Sequence, residues 1–177
     1  VAIGKNTSSM FDEHHRVISG NATDQALMKF LGEDSYLKMK EDPSLEVFAS
    51  QKFNSSNKFS QAQIGGLTYY KGAPERLLQK ADRYMGTDGQ LHPLDLSCIN
   101  QRIDTLAKKA MRVIAFGYSE EPLQENCISG NLVLIGLAAI RDDVRPEARI
   151  AIHDVQKAGI QVVMITGDRL ETASAIA

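Results

Sequence analysis

The chain has 177 residues, of which 43% are hydrophobic and 24% charged, and its formal net charge is −2. This length and composition fit one ordinary globular domain, or one domain and part of a second. The small net charge excludes an overall field that would attract nucleic acid or an anionic membrane surface. The longest apolar stretch, from Leu132 to Ile140, is interrupted by Gly136 and is too short to span a bilayer.

The cysteines, the histidines and the first residue each support one further expectation. Cys98 and Cys127 are far apart and lack the spacing of metal ligands, so we expect both to be reduced packing residues. The adjacent His14 and His15 form no ligand set and predict a solvated turn. Because the chain begins at Val1 without an initiator methionine or a leader, we expect a piece of a longer protein.

The first quarter of the chain predicts a polar lead-in, a helix and a strand. Residues 1–20 are polar and rich in Gly and Ser, and they predict at most one weak strand or helix. Asn21 or Thr23 can cap a helix in which apolar residues recur at helical spacing. After a break at Asp42-Pro43, a strand is predicted over residues 45–53.

A β-hairpin with a two-glycine turn is predicted next. Residues 59–64 and 67–70 have strand character, and Gly65-Gly66 suits the positive φ angles of a tight turn. Further along, the patterns predict a helix over 75–80 that Pro74 begins, a turn at 87–89, a helix over 94–110, and strands over 113–118 and 132–139.

The last 36 residues follow a different pattern. Pro146 begins a predicted helix that runs to Ala158 before Gly159, and residues 161–165 form a short β-branched run that predicts a strand. A further helix is predicted near Leu170. This alternation of helix, strand and helix is typical of a parallel α/β sheet.

Thr166-Gly167-Asp168 lies where the predicted strand ends and the last helix begins. Open α/β sheets bind ligands at this position, and helix N-terminal amides there favour a phosphate. The alternative is a simple capped turn from strand to helix, which is the commoner role of Thr-Gly-Asp alone.

Three other groups could meet a nucleotide. Lys71, beside Gly72 at a strand end, could reach a polyphosphate; alternatively it is a solvated lysine before a helix. Phe53 could stack an adenine ring with Lys58 near its phosphates, or could be a core aromatic near a solvated lysine. Arg112 could bridge phosphates. The sequence has no dinucleotide-binding glycine motif, no P-loop and no nucleophile elbow.

Taken in order, these motifs resemble the P-type ATPases, and calcium pumps and their bacterial relatives in particular. The matching segments are Gly20-Asn21-Ala22-Thr23-Asp24, Phe53 with Lys58, Lys71-Gly72-Ala73-Pro74-Glu75, Met111-Arg112, Asp142 with Arg145-Pro146-Glu147, and Met164-Ile165-Thr166-Gly167-Asp168. Each motif alone is weak evidence, but the occurrence of all of them in the same order over about the whole chain would very rarely arise by chance.

The resemblance implies a nucleotide site. Phe53 would stack the adenine, and Asp24 would lie near its amino edge. Lys58 and Lys71 would line the pocket, and Gly72 would give access. Ser55 stands where many calcium pumps have a phosphate-clamping arginine, so the affinity for ATP is expected to be lower.

The resemblance also implies roles outside the adenine pocket. Arg112 would approach the phosphates, and Asp142 and Arg145 would form a hinge between two domains. Thr166-Gly167-Asp168 would support the phosphorylation site, with Thr166 holding the transferred phosphoryl group.

The implied fold is α/β with two parts. Residues 1–141 would be the nucleotide-binding domain, an α+β unit with a mostly antiparallel sheet flanked by helices. Residues 142–177 would be a partial phosphorylation domain, an α-β-α stub of a haloacid-dehalogenase-like Rossmannoid fold. No metal site is expected within the chain; Mg²⁺ would arrive with ATP.

The implied function is ATP binding within a pump on the cytoplasmic face of a membrane. The pump, most similar to calcium pumps, would work through an aspartyl-phosphate and would supply membrane, actuator and phosphorylation domains as partners. The phosphorylated motif Asp-Lys-Thr-Gly-Thr does not occur in the 177 residues, so we expect ATP or ADP binding without turnover.

Two alternatives and one structural consequence remain open. The chain could be a free-standing nucleotide sensor, or a haloacid-dehalogenase-like phosphatase, although Asp142-Asp143 lacks the required Asp-x-Asp spacing. The apolar strand predicted at residues 161–165 has no parallel neighbours in the chain. It is therefore expected to pack against a second copy or back on the nucleotide-binding domain.

Overall fold

The computed structural model describes residues 1–141, 146–166, 170, 173 and 174. The helices are α1 (Ala22–Leu31), α2 (Glu33–Glu41), α3 (Pro74–Leu77), α4 (Leu96–Ala107) and α5 (Pro146–Lys157), with a 3-10 turn at Pro43–Leu45. The strands are β1 (Met10–Phe11), β2 (Val17–Ile18), β3 (Val47–Gln51), β4 (Phe59–Ile64), β5 (Leu67–Gly72), β6 (Ala81–Met85), β7 (Leu91–Pro93), β8 (Met111–Ser119) and β9 (Leu132–Arg141). None of the described helices is long and apolar enough to cross a membrane.

The chain divides into two compact units. The first contains Val1–Asp95 and Ile114–Ala138, and the second contains the described residues of Leu96–Val113 and Ala139–Ala177. The predicted domain boundary falls at residue 142, which lies outside the described residues, so the two-domain division stays a prediction.

Within the described residues, seven strands form one sheet in the order β3-β4-β5-β8-β9-β6-β7. The pairs β3–β4, β4–β5, β5–β8 and β6–β7 are antiparallel, whereas β6 pairs with β9 in parallel. The predicted fold class, α/β with a mostly antiparallel sheet, is confirmed.

Most residues of the β4–β5 hairpin are buried. Ile64 pairs with Leu67 across the turn, and Gly65 and Gly66 have φ angles of 57° and 83°. Residues without a side chain adopt such angles at little cost, so the two glycines fix the register. Two aromatic residues of this hairpin, Phe59 and Tyr70, are completely buried, and their ring centroids lie 6.2 Å apart. The predicted hairpin is confirmed.

Helix α1 begins as its capping sequence predicts. The Asn21 side chain accepts a hydrogen bond of 2.9 Å from the Asp24 N–H, and Leu27 and Met28 are buried. The helix ends at Gly32, whose φ of 78° redirects the chain into α2. Helix α2 was not predicted, because it buries none of its residues and lacks an apolar stripe.

Two sequence predictions for the polar segments are wrong. The first 20 residues contain a pair of short strands, β1 and β2, which pair antiparallel around the turn that contains His14 and His15. Cys98 and Cys127 are both exposed, so neither is the packing residue that was expected.

The segment that follows α5 does not form the predicted strand. Helix α5 has the predicted start and ends before Gly159, whose φ is 78°. Residues 160–166 have neither helical nor strand structure and are exposed, with Ile165 at 95%. A strand requires neighbouring backbone to satisfy its N–H and C=O groups, and no described strand pairs with this segment.

Candidate nucleotide site

Four of the predicted site residues lie at one end of the sheet. Strand β3 ends at Gln51, and β4 begins at Phe59, which pairs with Gly72 at the end of β5. The connection between β3 and β4, residues 52–58, is called the 52–58 loop below and carries both Phe53 and Lys58. The fold thus brings this loop to the strand ends that carry Lys71 and Gly72.

Gly72 is required by the close approach of β4 and β5. A Cβ atom at this position would lie 2.5 Å from the Lys58 carbonyl oxygen and 2.6 Å from the Phe59 Cβ. The next residue, Ala73, donates a backbone hydrogen bond of 2.9 Å to the same Lys58 oxygen. The glycine therefore has a packing role in the sheet, beside its predicted role in nucleotide access.

Lys71 lies in a buried ion pair with Asp24. The lysine Nζ is 2.6 Å from Asp24 Oδ1, and the two side chains are only 8% and 9% exposed. The ammonium also donates a hydrogen bond to the main-chain oxygen of Asn6. Because both charges are removed from water, loss of either one would leave the other buried without a counter-charge.

Asp24 is held from both sides of its carboxylate. Ser8 donates to Oδ2 from its hydroxyl at 2.8 Å and from its backbone N–H at 3.3 Å. Burial acts to raise the pKa of Asp24, but the hydrogen bond and charge of Lys71 and the two Ser8 hydrogen bonds outweigh it and lower that pKa. The carboxylate is therefore ionised at neutral pH.

Asn6 connects this ion pair to the sheet, and sequence reasoning missed it. Its side-chain Nδ2 donates to the Ser60 carbonyl in β4 at 3.2 Å, while its own carbonyl accepts from Lys71. Asn6 and Ser8 were expected to be part of a polar lead-in. No spacing or motif in the sequence signals contacts with residues more than 15 positions away.

Phe53 and Lys58 lie on the exposed part of the site. The Phe53 side chain is 55% exposed, which rules out the alternative of a core aromatic residue. The Lys58 Nζ lies 3.4 Å from Glu75 Oε1, with side chains 53% and 49% exposed. An ion pair this exposed is weak, so Lys58 can exchange Glu75 for another anion.

The match to a known family now decides the class of the chain. Residues 3–147 match the family described as P-type ATPase, cytoplasmic domain N. The chain belongs to this family. The predicted resemblance to P-type ATPases is thereby confirmed.

Relatives of this domain N chain are named as cation or calcium transporters. A cation-transporting ATPase of Synechocystis sp. is 38% identical over 118 residues, which cover 64% of this chain and 13% of that protein. The plasma membrane-type calcium-transporting ATPase 7 of Oryza sativa subsp. japonica is 33% identical over 177 residues, which cover 90% of this chain and 17% of that protein. The probable cation-transporting ATPase F of Mycobacterium tuberculosis is 41% identical over 112 residues, which cover 60% of this chain and 12% of that protein. The chain thus spans less than a fifth of the length of these relatives.

Six further residues were predicted to take part in phosphate binding, the hinge or the phosphorylation site: Arg112, Asp142, Arg145, Thr166, Gly167 and Asp168. Arg112 is exposed in β8 and belongs to the second compact unit, so its approach to phosphates stays a prediction. Thr166 is exposed at the end of the 160–166 segment. Gly167, Asp168, Asp142 and Arg145 lie outside the described residues.

No described part of the domain N chain forms a metal site by itself. Among residues 1–141, 146–166, 170, 173 and 174, no three His, Cys, Asp or Glu side chains are grouped so that they could hold an ion. The site has two acidic groups, Asp24 and Glu75, and each already contacts a lysine.

Proposed function

We propose that this chain binds ATP and ADP as the nucleotide-binding domain of a cation-transporting P-type ATPase. The observation that carries the proposal is the exposed aromatic ring of Phe53, on the same short loop as the half-exposed Lys58. The buried Asp24–Lys71 pair lies at the same end of the sheet. An exposed ring with charged groups on neighbouring elements suits a ligand that has both a flat base and phosphates.

Each group has a distinct task in this proposal. Phe53 presents a ring face on which adenine stacks, and Lys58 turns from Glu75 to the phosphates. Asp24 offers carboxylate oxygens to the amino edge of the base. Lys71, already held by Asp24 and Asn6, fixes that carboxylate in place. Mg²⁺, when it arrives with ATP, neutralises part of the phosphate charge.

The expected affinity is modest. Lys58, the lysine proposed for the phosphates, already contacts a carboxylate, and Ser55 supplies no positive charge. An open site also orders side chains on binding, which reduces the net binding free energy. We expect a dissociation constant on the order of tens of micromolar to millimolar.

The parent activity that we propose is cation transport through an aspartyl-phosphate. Calcium is the cation that the names of several relatives favour. The remaining domains of such a pump, in the membrane and on its cytoplasmic face, would be the partners of this chain. Thr166-Gly167-Asp168 would support the phosphorylation site, and Asp142 with Arg145 would form the hinge.

The first experiment is a calorimetric titration of the chain with ATP and ADP in the presence of Mg²⁺. Phe53→Ala should weaken binding about tenfold, because stacking of a base on an aromatic side chain contributes about 1–3 kcal/mol. Phe48→Ala is the matched control, since Phe48 in β3 is also an exposed phenylalanine, at 70%. Absence of binding to the unaltered chain, or equal loss in both variants, would contradict the proposal.

Turnover is a separate question with a separate test. Since the sequence contains no Asp-Lys-Thr-Gly-Thr motif, the chain should bind ATP without acquiring its γ-phosphate. Incubation with radiolabelled ATP followed by acid quenching should leave the protein unlabelled. A covalent label that hydroxylamine removes would show that a carboxylate of this chain is phosphorylated after all.

A further inference from the structure

One asparagine from a distant loop holds both ends of the 52–58 loop. Asn126 lies in the connection between β8 and β9, and its Oδ1 accepts hydrogen bonds from Gln51 Nε2 at 2.8 Å and from Asn57 Nδ2 at 2.5 Å. Its backbone N–H donates to Gln51 Oε1 at 2.8 Å. Gln51 is the last residue of β3, and Asn57 is the last but one residue before β4.

The partners of Asn126 are themselves held in place. Gln61 is completely buried in β4, and its Nε2 donates to Gln51 Oε1 at 2.7 Å and to the Gln124 carbonyl at 2.7 Å. Arg76 donates from Nε to the Asn57 carbonyl at 3.2 Å. The two anchor points of the loop are therefore connected to β4, to α3 and to the distant connection.

The interior of the 52–58 loop is a compact turn. Asn54 Oδ1 accepts from the Asn57 N–H at 2.7 Å, and the Asn54 carbonyl accepts from the Lys58 N–H at 2.8 Å. Lys58 has a φ of 61°, an angle that few residues other than glycine adopt without surrounding constraints. Asn57 is both an anchor point and the residue whose N–H closes this turn, so release of its side chain from Asn126 should loosen the turn as well as its position.

The choice of asparagine at position 126 fits both of its roles. Its φ is 59°, in the left-handed region that asparagine tolerates better than most residues with a side chain. Its amide oxygen has two lone pairs, and both are used by the two amide donors. Few other residue types combine this backbone angle with a short double acceptor.

We propose that Asn126 is a positioning residue for the nucleotide site. It does not contact the ligand; it fixes the loop that presents Phe53 and Lys58, and so reduces the ordering that binding requires. This inference rests on the proposed function and deepens it, because it assigns part of the affinity for the base to a residue outside the pocket.

The test uses three variants that separate the amide oxygen from the backbone angle. Asn126→Gly keeps the left-handed backbone and its N–H but removes the acceptor, and should raise the dissociation constant for Mg²⁺-ATP about threefold to tenfold. Asn126→Asp keeps an acceptor oxygen and should stay within about twofold of the unaltered chain. Asn131→Gly is the matched control, because Asn131 lies in the same connection with a φ of 55°, and it should change nothing.

A second readout does not need a ligand. Hydrogen exchange at the Asn57 and Lys58 backbone amides should become faster in Asn126→Gly, but not in Asn126→Asp or Asn131→Gly. In a Phe53→Ala background, Asn126→Gly should weaken ATP binding much less than in the unaltered chain, because the ring it positions is gone.

Each combination of results has one meaning. If the unaltered chain binds no ATP, the proposed function fails, while exchange at Asn57 and Lys58 still decides whether Asn126 holds the loop. Unchanged exchange in Asn126→Gly overturns the anchoring. Faster exchange with unchanged ATP affinity, or an equal loss in Asn131→Gly, overturns the positioning role.

Discussion

Asp24 and Lys71 illustrate how a buried ion pair differs from a surface one. The pair is less than a tenth exposed, and each charge has a further hydrogen bond from Ser8 or to Asn6. A buried pair often contributes little more stability than apolar residues of the same shape, whereas loss of one partner is costly. Since its net contribution to stability is expected to be small, we propose that the pair serves the ligand through the Asp24 oxygens.

Replacement of Asp24 by Asn should expose this cost. Lys71 would remain buried without its counter-charge, and we expect the free energy of unfolding at pH 7 to fall by about 3 kcal/mol. Urea denaturation of both proteins measures the difference. Asp154→Asn, at an exposed position of α5, is the control and should stay within about 0.5 kcal/mol of the unaltered chain.

The same variant should change how stability depends on pH. The folded-state pKa of Asp24 is lowered, and its value in the unfolded chain is about 3.9. The unfolded state therefore takes up this proton first as the pH falls, so the stabilisation is complete above about pH 5 and is lost progressively as the pH falls further, through the folded-state pKa. The unfolding free energies of the unaltered chain and Asp24→Asn should converge progressively as the pH falls below about 4; a constant gap would refute the assignment.

The residues that sequence could predict are those in short local motifs. Phe53, Lys58, Lys71 and Gly72 were named from their place beside strands and turns. Asn6, Ser8 and Asn126 act through partners between 16 and 75 positions away, and a single sequence carries no signal for such pairs.

At the scale of elements, the close approach of β4 and β5 requires a glycine at position 72. Gly72→Ala should destabilise the chain by about 2 kcal/mol, because overpacking costs about 1–3 kcal/mol and the clash is with backbone atoms. Gly136→Ala in β9 is the matched control: an added Cβ meets nothing within 4 Å. That change should be neutral or stabilise by up to about 1 kcal/mol.

Thermal or urea unfolding of the two glycine variants checks this comparison. Equal changes in the free energy of unfolding for Gly72→Ala and Gly136→Ala would mean that β4 and β5 separate easily. The close approach at Gly72 would then not contribute to stability. ATP titration of Gly72→Ala further tells whether the shift of the strands reaches the nucleotide site.

A buried face helped to make an element predictable but was not required: β3 and α5 were predicted although none of their described side chains is buried. Helix α1 buries Leu27 and Met28, and both strands of the β4–β5 hairpin contribute to the core. Helix α2 buries nothing, and β7 has three residues, so neither produces a periodic pattern. Residues 161–165 were predicted to form a strand and do not, because strand propensity alone does not provide a neighbouring strand to pair with.

At the scale of the whole molecule, the 160–166 segment is an exposed apolar surface. Ile160, Val163 and Ile165 are 57%, 68% and 95% exposed, and the segment contains no charged residue. Exposed, uncharged segments rich in β-branched residues recruit partner strands. We propose that two copies of the chain associate through this segment at high concentration.

Sedimentation velocity over a wide concentration range tests this association. The double variant Val163→Lys and Ile165→Lys should remain monomeric where the unaltered chain forms dimers. Phe30→Lys is the control, because Phe30 on α1 is 80% exposed and lies elsewhere in the fold. A chain that stays monomeric throughout, or a dimer that Phe30→Lys also abolishes, would contradict the role of this segment.

The long-range contacts described for Asp24, Lys71, Gln51 and Asn126 also bear on the order of folding. The β4–β5 hairpin closes across two residues, so it can form early. The Asp24–Lys71 pair joins residues 47 positions apart, and the Gln51–Asn126 bonds span 75. Contacts of such separation incur their loop-closure entropy before they contribute stability. We therefore expect the hairpin to form first during synthesis, and the proposed nucleotide site to be completed only after residue 126 has emerged.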